Sequence, residues 1–421
     1  MRGHETKIAP NIFIHMDFRL NSEQQLLRDK VSEFCKRVIE PKWIEVDDKG
    51  EIDREIIEKM AEVGLMGMTI SSEYGGQDGS FLEAALAAEQ LAYHGPALSI
   101  AVMYLLQCSW PYIIQRYGSE EAKQEVLPRV AAGDAAIGIA STEAHGGSDV
   151  SSVQVRAERK GDGKWLISGE KSMVSLPSVI ERMPWGGGWF LIARSGDPGL
   201  KHRTITDFLL LMKRNGVLTK GISYKPWTEF ARRGLDTSVL TFQNVEVDDV
   251  YRVGEVNGGF KIAMEGFNLA RTMIGAVCVG CAEWLMERAV EWVRTRKVFG
   301  KPIAAYQGVS FKIAEFASAL EAAKLLSYKA AWIADRYYRD GVGTLGDVAK
   351  LGAMAKLRCA SLAVDIGEEV MKIYGGASYF KETPIFRAWL AAFSYVVGAE
   401  GAENILKLIV AREVIGREFI E

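Results

Sequence analysis

The chain has 421 residues, 48% of them hydrophobic and 25% charged, which is enough for about two or three domains with buried cores. Lys and Arg number 51 against 54 Asp and Glu, so the net charge of −3 provides no basic field for binding nucleic acid. Five Cys do not suit a disulfide-rich secreted scaffold, and no run reaches the ~18 apolar residues of a membrane span. We therefore expect a cytoplasmic protein that neither spans a membrane nor binds nucleic acid.

The first predicted region is helical. Residues 1–15 contain no long apolar segment and no small-residue cleavage site, so we interpret them as a leader, an upstream start or an expression-derived remnant. From residue 22, apolar residues recur at three- and four-residue spacing, which predicts an all-helical domain over 16–134. Gly118 and Ser119 precede an acidic turn, a pattern typical of a helix start.

The second region is predicted to be a β domain over 135–255, because its apolar residues alternate with polar ones or form short runs between Gly, Pro and Asp. A GDGK turn joins two alternating segments and predicts a β-hairpin. The predicted strands lie in 153–159, 164–171, 189–195, 207–214 and 238–247.

The third region, 256–421, returns to helical periodicity. Breaks at FGKP, DGVGTLGD, YGG and ETP divide it into about four or five helices, the number expected of a helix bundle.

Several motifs match by letters but not by context. GVGTLG (341–346) fits a dinucleotide-binding pattern, but it follows a helical segment and is interpreted as a loop between helices. CVGC (278–281) lies in an apolar helix without a second Cys pair, which favours core thiols over a metal site. The five His are scattered, and neither a serine-nucleophile elbow nor a Walker-type loop is present. We expect no metal.

The segment STEAHGGSD (141–149) is the first candidate site. It places hydroxyls, adjacent glycines and an acid at a domain boundary, where small residues let a ligand approach backbone N–H groups, although a plain turn explains the composition almost as well. Its context favours a site, because the chain resembles the acyl-CoA dehydrogenase family of flavoproteins over essentially all of 16–421. The other similar segments are EVGLMGMTISSEYGG (62–76), GSEEAKQEVLPRVAAGD (118–134), GEKSMVS (169–175), GFKIAMEGF (259–267), RKVFGKPIAAYQ (296–307), KIYGGASY (372–379) and GAEGAENILKLIVAREVIG (398–416).

The resemblance implies an α+β fold: an N-terminal helical domain, a middle β-barrel and a C-terminal four-helix bundle. It also implies FAD as cofactor. The residues at flavin-contacting positions are Ile139, Thr142, Ser148, Met173 and Ser175. Thr142 would bond the pyrimidine side of the flavin, Ser148 would also reach CoA, and Ser175 would meet flavin N5. Met173 stands where the family usually has Trp.

A second set of positions resembles the part of the family site that binds the FAD of a neighbouring subunit. Arg296 matches a residue at the pyrophosphate, where a planar guanidinium makes two charge-assisted bonds; a solvated helix end is the alternative. The further matches are Phe299, Gln307, Lys372, Gly375, Gly376 and Asn404, with Lys372 and Asn404 replacing the usual Gln. The resemblance therefore implies a homodimer or homotetramer.

The family reaction removes a proton from Cα of an acyl-CoA thioester and a hydride from Cβ to flavin N5, giving the 2-enoyl-CoA. Glu400 matches the catalytic base, a task that suits a carboxylate whose pKa is raised by burial. In one branch the base lies at the position of Ala270, which cannot abstract a proton, and Glu403 is the nearest rival. The segment from Arg387 to Glu400 is about four residues longer than usual and strongly apolar.

Substrate contacts are implied at further positions. Ser148, Asn268, Arg271, Glu400, Gly401 and Arg412 match residues near the thioester or nucleotide, with surface salt bridges as the alternative for the two arginines. The backbone N–H of Glu400 would hold the thioester carbonyl. An electron-transferring flavoprotein is the expected electron acceptor. Acyl-CoA oxidase is disfavoured by the length, and a non-catalytic CoA-binding scaffold by the retained Glu400.

The acyl group is the least determined feature. The final third resembles members from anaerobic aromatic degradation, which favours oxidation of (R)-2-benzylsuccinyl-CoA to phenylitaconyl-CoA over the straight-chain, branched-chain and glutaryl-type alternatives. A free carboxylate on the acyl group would need a buried cation, for which Lys225, Arg232 and Arg233 are candidates. Trp185, in a long connection, is expected to reshape the acyl pocket.

Overall fold

The computed structural model describes residues 19–420, and in them a helical region, a sheet and a second helical region follow one another. This confirms the order predicted from periodicity. The segment 1–15 lies outside the described residues.

The N-terminal helices begin at side-chain caps. Asn21 accepts from the N–H of Gln24, whose side chain accepts from the N–H of Asn21, and Ser80 and Glu83 form the same capping box. Ser119 accepts from the N–H of Ala122, which confirms the predicted helix start. The helices are α1 Ser22–Val38, α2 Trp43–Lys49, α3 Arg54–Glu62, α4 Phe81–His94, α5 Ser99–Tyr117 and α6 Glu120–Ala131.

The middle region is one nine-stranded sheet. Its elements are β1 Ala135–Ala140, β2 Arg156–Arg159, β3 Lys164–Val174, helix α7 Pro177–Arg182, β4 Gly186–Arg194, β5 Ile205–Arg214, β6 Val217–Leu218, β7 Ile222–Pro226, β8 Ser238–Asp248 and β9 Arg252–Val253. Antiparallel pairing of β2 with β3 confirms the predicted hairpin. The order is β6-β5-β4-β2-β3-β8-β7, with β1 beside β4 and β9 beside β5. Among the described residues the sheet is therefore open, with β6 and β7 as its edge strands. The alternation of apolar and polar residues within single strands cannot predict which strands form the edges.

The long connection after β3 folds into α7 and then enters β4 through three glycines. A Cβ at Gly187 would lie 2.0 Å from the carbonyl oxygen of Ala136 on β1, so only glycine permits this approach. Trp185 is 6% exposed; its N–H donates to Asp134 and its carbonyl accepts from Gly216. The side chain of Trp185 is therefore buried at the start of β4, and its expected role in the acyl pocket stays a prediction.

The C-terminal region consists of α8 Gly259–Thr295, the two-stranded β10 Lys297–Val298 and β11 Lys301–Pro302, and the helices α9 Gln307–Tyr338, α10 Leu345–Tyr374, α11 Ile385–Val397 and α12 Glu403–Ile415. Helix α10 contacts each of the other four helices. Residues 339–344 join α9 to α10, so the segment 341–346 lies in this loop and the first turn of α10. Cys278 and Cys281 are buried free thiols in α8, as predicted.

Helix α8 is the one described helix that is long and apolar enough to cross a membrane. However, 89% of its most apolar window is buried inside the protein. A core helix that is apolar on all sides gives the same signal.

Candidate active site

Glu400 lies in the loop 398–402, which connects α11 to α12 and is called the base loop below. Ala399 (φ 55°) and Glu400 (φ 45°) both have left-handed backbone conformations, and Gly401 follows with φ 107°. For residues other than glycine this conformation costs about 1–2 kcal/mol each. Two consecutive strained residues therefore require contacts that hold the loop.

Two buried cations hold the base loop by its backbone. Lys356, on α10 and 0% exposed, donates to the carbonyls of Gly398 (3.0 Å), Ala399 and Gly401. Arg271, on α8, donates from Nε to the remaining carbonyl, that of Glu400, at 2.7 Å, and from Nη1 to Asn268 Oδ1 at 2.8 Å. Four consecutive carbonyls thus accept hydrogen bonds from buried cations. These hydrogen bonds hold the turn although two of its residues have unfavourable φ.

Burial and the neighbouring cations shift the pKa of Glu400 in opposite directions. Burial raises the pKa of its carboxyl, while Lys356, Arg232 and Arg271 act in the opposite direction. Burial lowers the pKa of Lys356 to about 8 and that of Arg271 to about 10, and in both cases the charge of Glu400 counteracts the shift. A carboxylate with a raised pKa beside fixed cations is suited to accept a proton.

The alternative bases are placed elsewhere or lack the chemistry. Glu403 is the first residue of α12. Its carboxylate forms an ion pair at 2.5 Å with Lys407, which lies one turn later in the same helix. Ala270 is fully buried on α8, next to Arg271. The apolar run before the base loop is the regular helix α11, in which about four residues correspond to about one helical turn.

The structure separates the three cations considered for an acyl carboxylate. Lys225 is exposed on β7, and the guanidinium of Arg233 approaches Gly50 at the end of α2. Arg232 instead lies 4.8 Å above the ring of Tyr395 on α11 and acts on the charge of Glu400. Among the three, only Arg232 belongs to the surroundings of the base.

Aromatic groups border the same place. Tyr395 is 1% exposed, and neither its hydroxyl nor the buried Nε of Arg232 has a hydrogen-bond partner among the described residues. The ring of Phe230, from the loop between β7 and β8, lies 6.4 Å from that of Phe393 on α11. The environment of the base therefore contains two buried polar groups without partners, and two partly exposed aromatic rings belong to the same loop and helix.

The predicted flavin segment is fixed by another buried lysine. Lys171, on β3 and 0% exposed, donates to Glu143 Oε1 at 2.7 Å and to the carbonyl of Ser141 at 2.8 Å. The N–H of Ser172 donates to Thr142 at 2.8 Å, so β3 carries the segment along its edge. Ser148 is exposed in the following turn, and Ile139 is half-buried at the end of β1.

The two other predicted flavin contacts lie at the end of β3. Met173 is 62% exposed with φ 57°, at an irregularity in the pairing with β8. The carbonyl of Ser175 accepts from Trp189 Nε1 at 2.9 Å. The strand irregularity turns Met173 outward beside the predicted cofactor segment, where the side chain is available for contact.

Part of the second predicted cofactor set lies at a groove of the C-terminal region. A groove of about 360 Å³ is lined by residues that include Phe299 and Lys372, with Phe299 91% exposed. Arg296 ends α8 and Gln307 begins α9, both exposed and both adjacent to this groove in the chain. Within 4 Å of a Cβ built on Gly375 or Gly376 there is nothing. An exposed aromatic, a cation and open glycine backbone fit the nucleotide half of FAD.

The predicted substrate residues are only partly brought together. Asn268, Arg271, Glu400 and Gly401 form one cluster through the bonds described above. Asn404 and Arg412 lie on α12, the first exposed and the second half-buried. Sequence reasoning missed Lys356, although the sequence contains a signal. Lys356 is a charged residue at helical spacing from Ala353, Ala360 and Ala363, on a face that is otherwise apolar.

Comparison with known proteins gives matches along most of the chain. Models of the acyl-CoA dehydrogenase N-terminal, middle and C-terminal domains match residues 21–134, 138–245 and 257–415. An acyl-CoA dehydrogenase of Bacillus subtilis is 30% identical over 397 residues, which are 94% of this chain and 99% of that protein.

Solved structures agree with these matches. Butyryl-CoA dehydrogenase from Megasphaera elsdenii superposes with a TM-score of 0.85 at 28% identity, covering 95% of this chain and 100% of that chain. The complex of glutaryl-coenzyme A dehydrogenase with glutaryl-CoA gives a TM-score of 0.85 at 30% identity, covering 95% and 97%.

Proposed function

Since the chain belongs to the acyl-CoA dehydrogenase family, whose members are FAD-dependent oxidoreductases, we propose that Glu400 removes the Cα proton of an acyl-CoA bound between the base loop and the flavin. Bound FAD supplies the acceptor for the Cβ hydride at flavin N5, and the product is the 2-enoyl-CoA. The observation that carries this proposal is the base loop: it holds Glu400, a half-buried residue whose carboxyl pKa is raised by burial, near three cations.

The chain also offers a donor for the thioester carbonyl. Arg271 occupies the carbonyl of Glu400, whereas no described residue accepts a hydrogen bond from the N–H of Glu400. We propose that this N–H binds the thioester oxygen and stabilises the negative charge that develops on it. A single such donor contributes about 3–4 kcal/mol to the transition state.

Two groups of residues would hold the cofactor. Thr142, Ser148, Met173 and Ser175, with Ile139 behind them, would contact the flavin half. Arg296, Phe299, Gln307, Lys372, Gly375, Gly376 and Asn404 would bind the nucleotide half of a neighbouring subunit's FAD. The first group belongs to the middle sheet region and the second to the C-terminal helical region. We propose that a second copy of the chain completes the site, in a homodimer or homotetramer.

We propose that the substrate carries a bulky aryl group and a free carboxylate, with (R)-2-benzylsuccinyl-CoA as the specific candidate. Arg232 supplies a cation with an unpaired Nε beside the base, Tyr395 supplies an unpaired hydroxyl, and Phe230 and Phe393 supply aromatic walls. A carboxylate that reached Arg232 would give its buried Nε the acceptor that it lacks among the described residues. The similar glutaryl-coenzyme A dehydrogenase was solved with a substrate that also has a second carboxylate. Electrons would leave to an electron-transferring flavoprotein.

The test is an acyl-CoA panel assayed with an artificial electron acceptor. We expect kcat/KM to be higher for benzylsuccinyl-CoA than for butyryl- or octanoyl-CoA. Arg232→Met should lower it about 10- to 10²-fold for the carboxylated substrate, since a charge-assisted bond contributes about 1.5–3 kcal/mol. Because Arg232 also lowers the pKa of Glu400, the comparison is made at a pH well above the acidic limb of both enzymes, where butyryl-CoA turnover should change little.

Lys225→Met, which removes an exposed cation from the neighbouring strand, is the matched control and should leave the preference unchanged. Faster turnover of straight-chain substrates would refute the substrate assignment and leave the dehydrogenation itself standing. Turnover without FAD reduction would refute the dehydrogenation.

A further inference from the structure

We propose that Lys356 is a positioning residue for the reaction: its ammonium group holds the base loop in the left-handed turn that directs Glu400. The inference rests on the proposed role of Glu400 as the base. Lys356 itself would touch neither substrate nor flavin, since all three of its donors are used on the loop.

The number of acceptors around Lys356 matches the number of hydrogen-bond donors on its ammonium group. An ammonium has three N–H donors and no acceptor, and Lys356 meets three carbonyls, those of Gly398, Ala399 and Gly401. These carbonyls lie on both sides of Glu400, so the ammonium spans the turn at whose centre the base is located. A side chain without donors would leave three carbonyls unpaired next to two residues with unfavourable φ.

The acceptors of Lys356 are neutral, so no carboxylate bonded to it cancels its charge. The titratable groups that face it are Glu400 on the base loop, Arg271 and Cys278 on α8, and Arg232 on the loop before β8. Glu400 is the one acid among them. The charge of Lys356 therefore acts on Glu400, against the effect of burial.

The first test is Lys356→Met, measured by substrate-dependent flavin bleaching in the purified holoenzyme. We expect a bleaching rate lower by about 10²-fold, with acyl-CoA affinity and FAD content close to those of the wild type, because a small misplacement of a catalytic group has such an effect.

The pH profile of kcat/KM is the reading that a merely structural role would not change. Activity requires ionised Glu400 and rises as pH passes its pKa. Removal of a cation that lowers this pKa should shift the acidic limb of the profile to higher pH. Lys356→Gln keeps two N–H donors but loses the charge, so it should recover part of the rate while keeping the shifted limb.

Lys350→Met on the same helix, which removes a half-buried lysine paired with Asp347 at 3.4 Å, is the matched control and should change neither rate nor profile. A wild-type rate and profile in Lys356→Met would overturn the proposal, as would a failure of both Lys356 variants to fold with FAD, which would make Lys356 a folding residue. Glu400→Gln, measured in parallel, separates the two levels: if it stays active, the base assignment itself fails.

Discussion

Two buried lysines hold the two functional segments of this molecule, and they do so with different partners. Lys171 on β3 binds the predicted flavin segment through the carboxylate of Glu143, whereas Lys356 on α10 binds the base loop through neutral carbonyls only. Both are 0% exposed, and burial lowers the pKa of each to about 8.

The difference lies in where the positive charge acts. Glu143 neutralises Lys171 directly, and its two oxygens also accept from the N–H groups of Gln154 and Val155. The charge of Lys356 has no bonded counter-ion and acts on Glu400. The comparison suggests that one lysine serves the stability of the cofactor segment and the other serves the reactivity of the base.

The largest effect on stability is expected at Lys171. Lys171→Met leaves Glu143 buried without its cation, so the free energy of unfolding should fall by about 3–5 kcal/mol, with loss of FAD. Urea denaturation and FAD content measure this. The double variant with Glu143→Gln removes the unpaired charge and should recover part of the loss. If Lys171→Met lost less free energy of unfolding than Lys356→Met, the assignment of the stabilising role to Lys171 would be wrong.

The next effect concerns cofactor retention alone. Arg296→Ala removes an exposed cation beside the groove that contains Phe299, so the affinity for FAD should fall about 10- to 10²-fold while the apoprotein keeps its stability within about 0.5 kcal/mol. Equilibrium titration with FAD and thermal melts separate the two quantities. Full FAD affinity in a demonstrated monomer would contradict the two-chain site.

The smallest effect is expected at Lys372, on the rim of the same groove. Its side chain is 62% exposed and paired with Glu368 at 2.7 Å, a surface interaction of little free energy. Lys372→Ala should change FAD affinity less than about threefold. A loss as large as that of Arg296→Ala would show that this lysine replaces the usual Gln in a specific bond.

Periodicity predicted much of the fold, because each region has one dominant spacing of apolar residues. It also identified the hairpin of β2 and β3 and the core thiols of α8. It could not predict the open order of the sheet or the burial of Trp185, since both depend on which elements meet and not on any one segment.

The site was predicted in a similarly uneven way. Glu400 and Arg271 were named from the family resemblance, and the structure places them in contact. Tyr395 was missed because a tyrosine in an apolar helix is usually a core residue. Lys356 was missed because its three hydrogen-bond acceptors are backbone carbonyls. Every residue has a backbone carbonyl, so the sequence does not show which carbonyls accept from a lysine. The only sequence signal for Lys356 was its position on an apolar stripe of a predicted helix.

The measurement that tests the central claim most directly is flavin bleaching by acyl-CoA in Glu400→Gln, with Glu403→Gln as the control. Glu400→Gln keeps the shape of the side chain but removes the base, so it should fold, retain FAD and bind acyl-CoA while the bleaching rate falls by about 10²–10⁴-fold. Glu403→Gln should change the rate little, because Glu403 pairs with Lys407 on α12. A Glu400→Gln variant that keeps more than about a tenth of the rate, or an inactive Glu403→Gln, would contradict the account.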